Sequence, residues 1–347
     1  MKIDIKSLSL NELKEQMKLL GEKPFRAKQI YEWLHIKLVR SFDEMTNLSK
    51  DTRQKLEENF MLTNLQVVDS LTSSDGSTTK FLFELHDHRV IESVLMKYHH
   101  GNSVCISSQV GCRMGCRFCA STLGGLERNL YTSEMLDQIY QIQRISGERV
   151  SNIVMMGTGE PMDNFENVVK FLTMISDGDG LNISQRNITV STCGIVEKIH
   201  DLADQEFGIT LAISLHAPTD DRRKAIMPVA HKYTIEQIMN ACRYYYDKTG
   251  RRITFEYSLI EGVNDQPEQA QTLSKLVKGL NCHINLIPVN PIKERDYKQT
   301  QSKYVQNFKN LLEKNRINVT IRREMGSDIN AACGQLRKSY AEKNVTC

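Results

Sequence analysis

The sequence predicts an α/β protein, on three observations. From Val104 onward, short apolar runs of strand character alternate with segments of helical period, the pattern of a parallel sheet built from βα units. Before that lies a stretch of strand patterns separated by turn residues, which reads as a short antiparallel meander. The N-terminal residues instead carry helix caps and apolar residues at helical spacing. The expected organisation is an N-terminal helical accessory domain over 1–62, a β-meander linking segment over 63–98 and a catalytic domain over 99–347.

In chain order, Ser9-Leu10-Asn11-Glu12 forms a capping box, with Leu10, Leu13, Met17 and Leu20 on one face and Gly21 as the stop. A second helix fits Phe25 to Val39, anchored by Ile30, Trp33 and Leu34, and a third fits Lys50 to Phe60. The meander strands are Gln66–Leu71, Thr79–Leu85 and Val90–Met96, with turns at Ser74-Asp75-Gly76-Ser77 and Asp87-His88. Seven further strands are expected: Val104–Ser107, Asn152–Met156, Asn187–Ser191, Thr210–Ser214, Thr254–Leu259, Asn285–Pro288 and Ile317–Arg322. Helices such as Thr132–Ile145, Val168–Ile175 and Ile235–Tyr246 lie between them. Ligands of such sheets gather at the carboxyl ends of the strands.

Composition narrows the class. The hydrophobic share is 40% and the charged share 25%, ordinary for a soluble globular protein. The first residues show no signal-peptide core, and no apolar run reaches the ~20 residues that span a bilayer. Nine cysteines in such a chain point to a reducing compartment, where thiols serve metals or chemistry, so a cytoplasmic protein without membrane contact is expected. The net charge of +3 does not by itself announce nucleic acid. Local groups (Lys23, Arg26 and Lys28; Arg222, Arg223 and Lys224; Arg251 and Arg252; Arg322 and Arg323) could contribute to an RNA-facing surface or simply be solvated.

The sharpest motif is Gly111-Cys112-Arg113-Met114-Gly115-Cys116-Arg117-Phe118-Cys119, a C-x3-C-x2-C run. Soft thiolates select zinc, Cu(I) or iron–sulfur clusters. A structural zinc site asks for four protein ligands, and no second C-x2-C pair completes such a set. Three cysteines on a 4Fe–4S cluster leave one iron open to a small molecule. Downstream, Met156-Gly157-Thr158-Gly159-Glu160-Pro161 follows a strand. Its glycines allow close backbone approach, and Glu160 can accept from an ammonium. Ser191, Ser214 with Leu215 and His216, and Asn290 stand at later strand ends, where they can bond a ribose or carboxylate or merely form turns. Two other thiols stand out, Cys105 on the strand entering the cysteine loop and Cys333 after the last strand.

The cysteine loop, with Phe118 before its last cysteine, resembles that of the radical S-adenosylmethionine (SAM) enzymes. With Cys105-Ile106-Ser107-Ser108-Gln109, Gly159-Glu160-Pro161, Ser214-Leu215-His216-Ala217-Pro218 and Ala331-Ala332-Cys333-Gly334-Gln335-Leu336, the chain resembles the branch that methylates adenosine in RNA, over nearly its whole length. That resemblance implies a partial (βα)6-type barrel and one 4Fe–4S cluster on Cys112, Cys116 and Cys119. It also implies SAM held by Gly159, Glu160, Ser191, Ser214, Leu215, His216 and Asn290, with two SAM used per turnover. One SAM methylates Cys333, and the second, cleaved at the cluster, activates that methyl group as a carbon radical. Such a route suits adenine C2, which is not nucleophilic and so cannot attack SAM directly. By the same resemblance Cys105 resolves the covalent protein–RNA adduct through a disulfide, and Glu92 accepts the proton from C2.

The resemblance further implies 23S ribosomal RNA and certain transfer RNAs, beside the anticodon, as substrates, a flavodoxin- or ferredoxin-like electron donor, and a monomer. Gly159-Glu160-Pro161-Met162-Asp163-Asn164 and Ala120-Ser121-Thr122 look like the C2 branch rather than the C8 branch that confers antibiotic resistance. The C8 activity and a non-catalytic, zinc-stabilised RNA-binding protein are the alternatives. Cys193, Cys242, Cys282 and Cys347 match no functional position.

Overall fold

The computed structural model describes residues 2–99 and 101–336; Cys347 lies outside them. A short strand β1 (Ile3–Asp4) precedes helices α1 (Leu10–Leu19), α2 (Phe25–His35) and α3 (Lys50–Asn59), and β2 (Phe60–Met61) pairs with β1. The capping box is present: Ser9 N–H donates to Glu12 Oε2 at 2.7 Å, and Glu12 N–H to Ser9 Oγ at 3.3 Å. α2 stops at His35 rather than Val39, since Leu38 turns to a φ of 55°. α3 is capped by Ser49, whose hydroxyl accepts from Thr52 N–H.

The meander consists of β3 (Gln66–Thr72), β4 (Thr78–Glu84) and β5 (Val90–Tyr98). It does not stand apart as a linking segment. β6 (Gly101–Cys105) follows β5 directly, pairs antiparallel with it, and pairs on its other side in parallel with β9 (Val150–Met155). The cysteine loop lies between β7 (Gln109–Gly111) and β8 (Leu126–Asn129), which form a separate two-stranded ribbon. Then come α4 (Thr132–Ser146), α5 (Phe165–Ile175), β10 (Ile188–Thr192), α6 (Val196–Ala203), β11 (Thr210–Ser214), α7 (Asp220–Ile226) and α8 (Ile235–Thr249). The chain continues with β12 (Ile253–Leu259), α9 (Pro267–Leu276), β13 (Cys282–Pro288), α10 (Ser302–Lys314) and β14 (Val319–Ile321). The resulting sheet has ten strands in the order β14-β13-β12-β11-β10-β9-β6-β5-β4-β3. From β6 to β14 all pairings are parallel, so helix-containing crossovers join the strands of an open α/β barrel, as expected.

The N-terminal helices share one apolar core with the barrel. Buried polar groups fix the join: Lys6 Nζ lies 2.6 Å from Asp137 Oδ1 on α4 and donates to Thr63 O at 2.6 Å, while Asp137 Oδ2 accepts from Leu65 N–H. Both charged side chains are fully buried, and removing either partner of such a pair costs about 3–5 kcal/mol. No helix among the described residues is long and apolar enough to cross a membrane.

Candidate active site

Two adjoining cavities open at the carboxyl ends of the strands. The larger, about 980 Å³, is lined by Cys112, Cys116 and Cys119 and by Gly159, Glu160, Ser191, Ser214, His216 and Asn290. The other, about 880 Å³, holds Cys105 together with Val94, Met96, Ser103 and Val154. Met156, Ile287, Asn290, Arg322, Cys333 and Leu336 face both, and form the wall between them. Cys105 and Cys333 are free thiols on one cavity.

The cysteine loop is held from several sides. Cys112 N–H donates to Gly125 O, and the Thr122 hydroxyl donates to the carbonyls of Cys116 and Cys119. Ala120 N–H donates to Gly334 O at 2.8 Å and Ser121 Oγ to Leu336 O at 2.9 Å, which ties this loop to the segment bearing Cys333. Phe118 meets His216 edge to face, with ring centroids 4.8 Å apart. Burial first, then repulsion from neighbouring thiols, raises the Cys116 thiol far above its ordinary range, and burial dominates the rise of Cys112 to about 12. No group of three or more His, Cys, Asp or Glu among the described residues converges tightly enough to hold one metal ion. A cubane cluster spreads three thiolates over three irons and does not ask for such convergence. Three free thiols lining one cavity fit it as a donor set.

The floor opposite is the turn after β9. Gly159 has φ +113°, and a Cβ there would stand 2.6 Å from Gln109 Cβ, so only glycine passes. Glu160 is buried, which raises its carboxyl; N–H groups of Cys193 (2.7 Å) and Met162 (3.0 Å) bond its oxygens and oppose that rise. Ser191 and Ser214 bring their hydroxyl oxygens within 3.5 Å on neighbouring strands. His216, at φ 56°, accepts at Nδ1 from Ser258 N–H (2.9 Å). Burial, then Arg223 and Arg322, push it down to about 3, so a neutral ring presents Nε2–H as donor.

Other expected positions depart from the sequence reading. Leu215 lines neither cavity; it is fully buried in the core, because alternation turns it away from its neighbours. Asn290 does reach the wall, but its Nδ2 donates to Cys333 O at 3.0 Å, so it steadies the Cys333 backbone. Glu92 is a buried carboxylate rather than an exposed one, with Lys80 Nζ 3.3 Å from Oε1. It lines neither cavity, yet shares the β5 face with Val94 and Met96, which line the Cys105 cavity.

Sequence reasoning missed several groups here. Arg322, read as part of a basic surface cluster, lies on the shared wall, 3.6 Å from Glu256 Oε2. Arg223, read likewise, is fully buried and donates to the carbonyls of Cys193, Ser214 and Leu215. Glu256, Ser258 and Cys193 line the larger cavity. A charge inside an otherwise apolar strand, as at Glu256, was the available signal. Cys333 is exposed and Cys105 half-buried, but the protein atoms packed around each sulfur displace water and raise both thiols, Cys105 to about 12, while the Arg322 guanidinium lowers each.

Residues 3–62 match the family model described as ribosomal RNA large subunit methyltransferase N-terminal domain, and residues 106–273 match that of the radical SAM superfamily. A protein of Lachnoclostridium phytofermentans, named "probable dual-specificity RNA methyltransferase RlmN", is 69% identical over 99% of this chain and 97% of its own length. Relatives of the same name from Lachnospira eligens and Clostridium novyi are 66% and 56% identical, each over 98% of this chain and 97% and 99% of their own. The crystal structure of a radical SAM methyltransferase from Sphaerobacter thermophilus superposes with a TM-score of 0.93 at 42% identity, covering 96% of this chain and 99% of that one. The cysteine loop, the two cavities and this likeness over nearly every residue agree: the chain belongs to the RlmN family of radical SAM methyltransferases.

Proposed function

We propose that this enzyme methylates C2 of adenine in 23S ribosomal RNA and in certain transfer RNAs beside the anticodon, storing the methyl group on Cys333 before passing it to the base. The observation that carries this reading is the shared wall: Cys333 faces both the cavity of the three cysteines and the cavity of Cys105. When bound, the 4Fe–4S cluster and SAM supply reductive cleavage, the source of the radical that activates the stored methyl.

The chain's own residues do the rest. Cys112, Cys116 and Cys119 would hold the cluster. Gly159, Glu160, Ser191, Ser214 and His216 offer close backbone, a carboxylate, two hydroxyls and a neutral N–H to the amino acid and ribose of SAM. Cys333, steadied by Asn290, accepts the methyl; desolvation raises its thiol, and the Arg322 guanidinium opposes that rise. After the carbon radical joins C2, the C2 proton passes to Glu92 and the one unpaired electron of the adduct leaves to the one-electron carrier that serves the site, which gives a closed-shell thioether. Cys105 thiolate then bonds the Cys333 sulfur, the S–CH2 bond breaks, and the electron pair left on carbon takes a proton to complete the methyl.

A monomer is the assembly that the family resemblance implies. Arg113 and Arg117, exposed on the cysteine loop, suit an acidic carrier such as a flavodoxin or ferredoxin. Ribosomal and transfer RNA as substrates support a cytoplasmic location. Belonging to an enzyme family sets aside the non-catalytic zinc reading, and the "dual-specificity" name of the relatives favours C2 over C8. The test is mass spectrometry of nucleosides from a deletion strain with and without the restored gene. 2-Methyladenosine should return with the gene; 8-methyladenosine alone would refute the assignment.

A further inference from the structure

We propose that Lys80 is a positioning residue for the proton-transfer step, holding the Glu92 carboxylate and the Cys333 loop in one arrangement. This rests on the assignment of Glu92 as proton acceptor. In the β4–β5 register Lys80 faces Val94 and Leu82 faces Glu92, so Lys80 is the diagonal neighbour of Glu92 on one face. Across β6, Cys105 faces Val94 and Ser103 faces Met96, and all four line the Cys105 cavity. The position opposite Glu92 is Ser107, whose hydroxyl donates to Glu92 O at 2.7 Å. Glu92 is therefore one same-face step beyond Cys105.

Lys80 Nζ stands 3.3 Å from Glu92 Oε1, with each side chain 3% exposed. The same Nζ donates to Asn330 O at 3.2 Å, three residues before Cys333. Two more contacts pin that segment to the same hairpin. Ser74 N–H donates to Asp328 Oδ2 at 2.9 Å, and Gly326 at φ +66° packs where a Cβ would meet the Thr78 methyl at 2.8 Å. Val94, Ala331 and Leu336 close a small apolar cluster between them, against Met96, Cys105 and Ile329.

Placing an ammonium in so dry a position is costly, and an apolar side chain of similar length would pack there without that cost. What the charge reaches explains its presence: the proton acceptor on one side and the methyl carrier's loop on the other. Glu92 must be ionised to accept a proton, and the Lys80 ammonium is the cation that pairs with that carboxylate, 3.3 Å from Oε1. In the step itself the C2–H bond breaks, its electron pair stays with the purine ring, and the proton ends on a Glu92 oxygen.

The test compares Lys80→Met, Lys80→Arg, Glu92→Gln and the Lys80→Met/Glu92→Gln double variant, as reconstituted full-length enzymes on a ribosomal RNA fragment. Positioned acid–base groups contribute about 100-fold or more, so Lys80→Met should lower kcat roughly tenfold to a hundredfold with KM for RNA unchanged. Methylated Cys333 should still form, read by intact-protein mass spectrometry, and Lys80→Arg should recover much of the rate. The double variant should be no slower than Glu92→Gln alone. Wild-type kcat in Lys80→Met, an additive double variant, or loss of Cys333 methylation in Lys80→Met would overturn the proposal. A full rate in Glu92→Gln would instead remove the parent assignment, and the role of Lys80 with it.

Discussion

Resolution of the adduct by Cys105 should show a steep and unusually late pH dependence. Thiolate, not thiol, attacks sulfur. Burial, with repulsion from Cys333 as the second cause, pushes Cys105 up to about 12, while Arg322 pulls modestly the other way. A thiol of that pKa is ionised in roughly one molecule in ten thousand at pH 8, against about a quarter for an ordinary cysteine. Once Cys333 carries the RNA-linked carbon its sulfur is a thioether without charge. The repulsion is then gone, but the burial, the larger cause, remains. The operative value in the adduct therefore lies between the ordinary thiol range and about 12.

The sign follows directly: below that value each added pH unit raises the thiolate population, and so the resolving rate, tenfold. The assay forms the adduct at pH 6.5, where resolution is slowest, then jumps to pH 7–9.5 and follows the RNA-linked species on denaturing gels. Log rate against pH should rise with unit slope and show no plateau up to pH 9. Arg322→Gln, which removes the cation that lowers the thiol, should slow resolution at every pH in that window. A plateau near pH 8.5 or a flat profile would refute the argument, since it would mean a thiol unperturbed by its surroundings or a step that needs no thiolate.

Alanine at Cys112, Cys116 or Cys119 should remove most bound iron and all SAM cleavage; full iron content in the triple variant would sink the cluster assignment. Cys105→Ala should accumulate a nuclease-sensitive protein–RNA adduct, whereas Cys333→Ala and the double variant should form none, and normal turnover by Cys105→Ala would end its resolving role. Gly159→Ala forces a Cβ to within 2.6 Å of Gln109 Cβ at a positive φ, a strain of about 1–3 kcal/mol, so SAM affinity by equilibrium dialysis should weaken roughly fivefold to a hundredfold; unchanged affinity would show that the turn does not cradle the ligand.

What the sequence disclosed was mostly local. The three cysteines lie within eight residues of one another, the Ser9 capping box within four, and the Gly159 turn directly after its strand, so each could be read without knowing the fold. What it concealed depended on register and distant contacts. Arg322 looked like surface charge beside Arg323 until β13 and β14 paired and carried it to the wall facing Glu256. Leu215 was included with its motif, yet period-two alternation already argued that a residue between two lining neighbours points away. Glu92 and Lys80 each sat alone in apolar strands. Only the β4–β5 register brought them within 3.3 Å, and only the return of the chain at Asn330 gave the ammonium its second partner.

The meander shows why those distant pairings matter to the chemistry. With β3–β5 as a mere linker, Cys105 would stand at an exposed sheet edge and the Cys333 loop would have nothing to lie on. Only two residues separate Tyr98 from Gly101, too few for anything but a hairpin, so β5 is bound to pair with β6. β6 then belongs to two systems. On its parallel side, β9 leads into the Gly159–Glu160 turn; on its antiparallel side, β5 brings Val94 and Glu92. Phe81, Phe83, Ile91, Leu95 and Val104 fill the opposite face with core. Both faces are buried, so a one-residue slip would turn Lys80 and Glu92 into that apolar core, away from each other and from Asn330 O, and the register is fixed by which face carries the polar partners. The placement of Cys105 between the Gly159–Glu160 turn and the buried Lys80–Glu92 pair is thus a consequence of how the core packs.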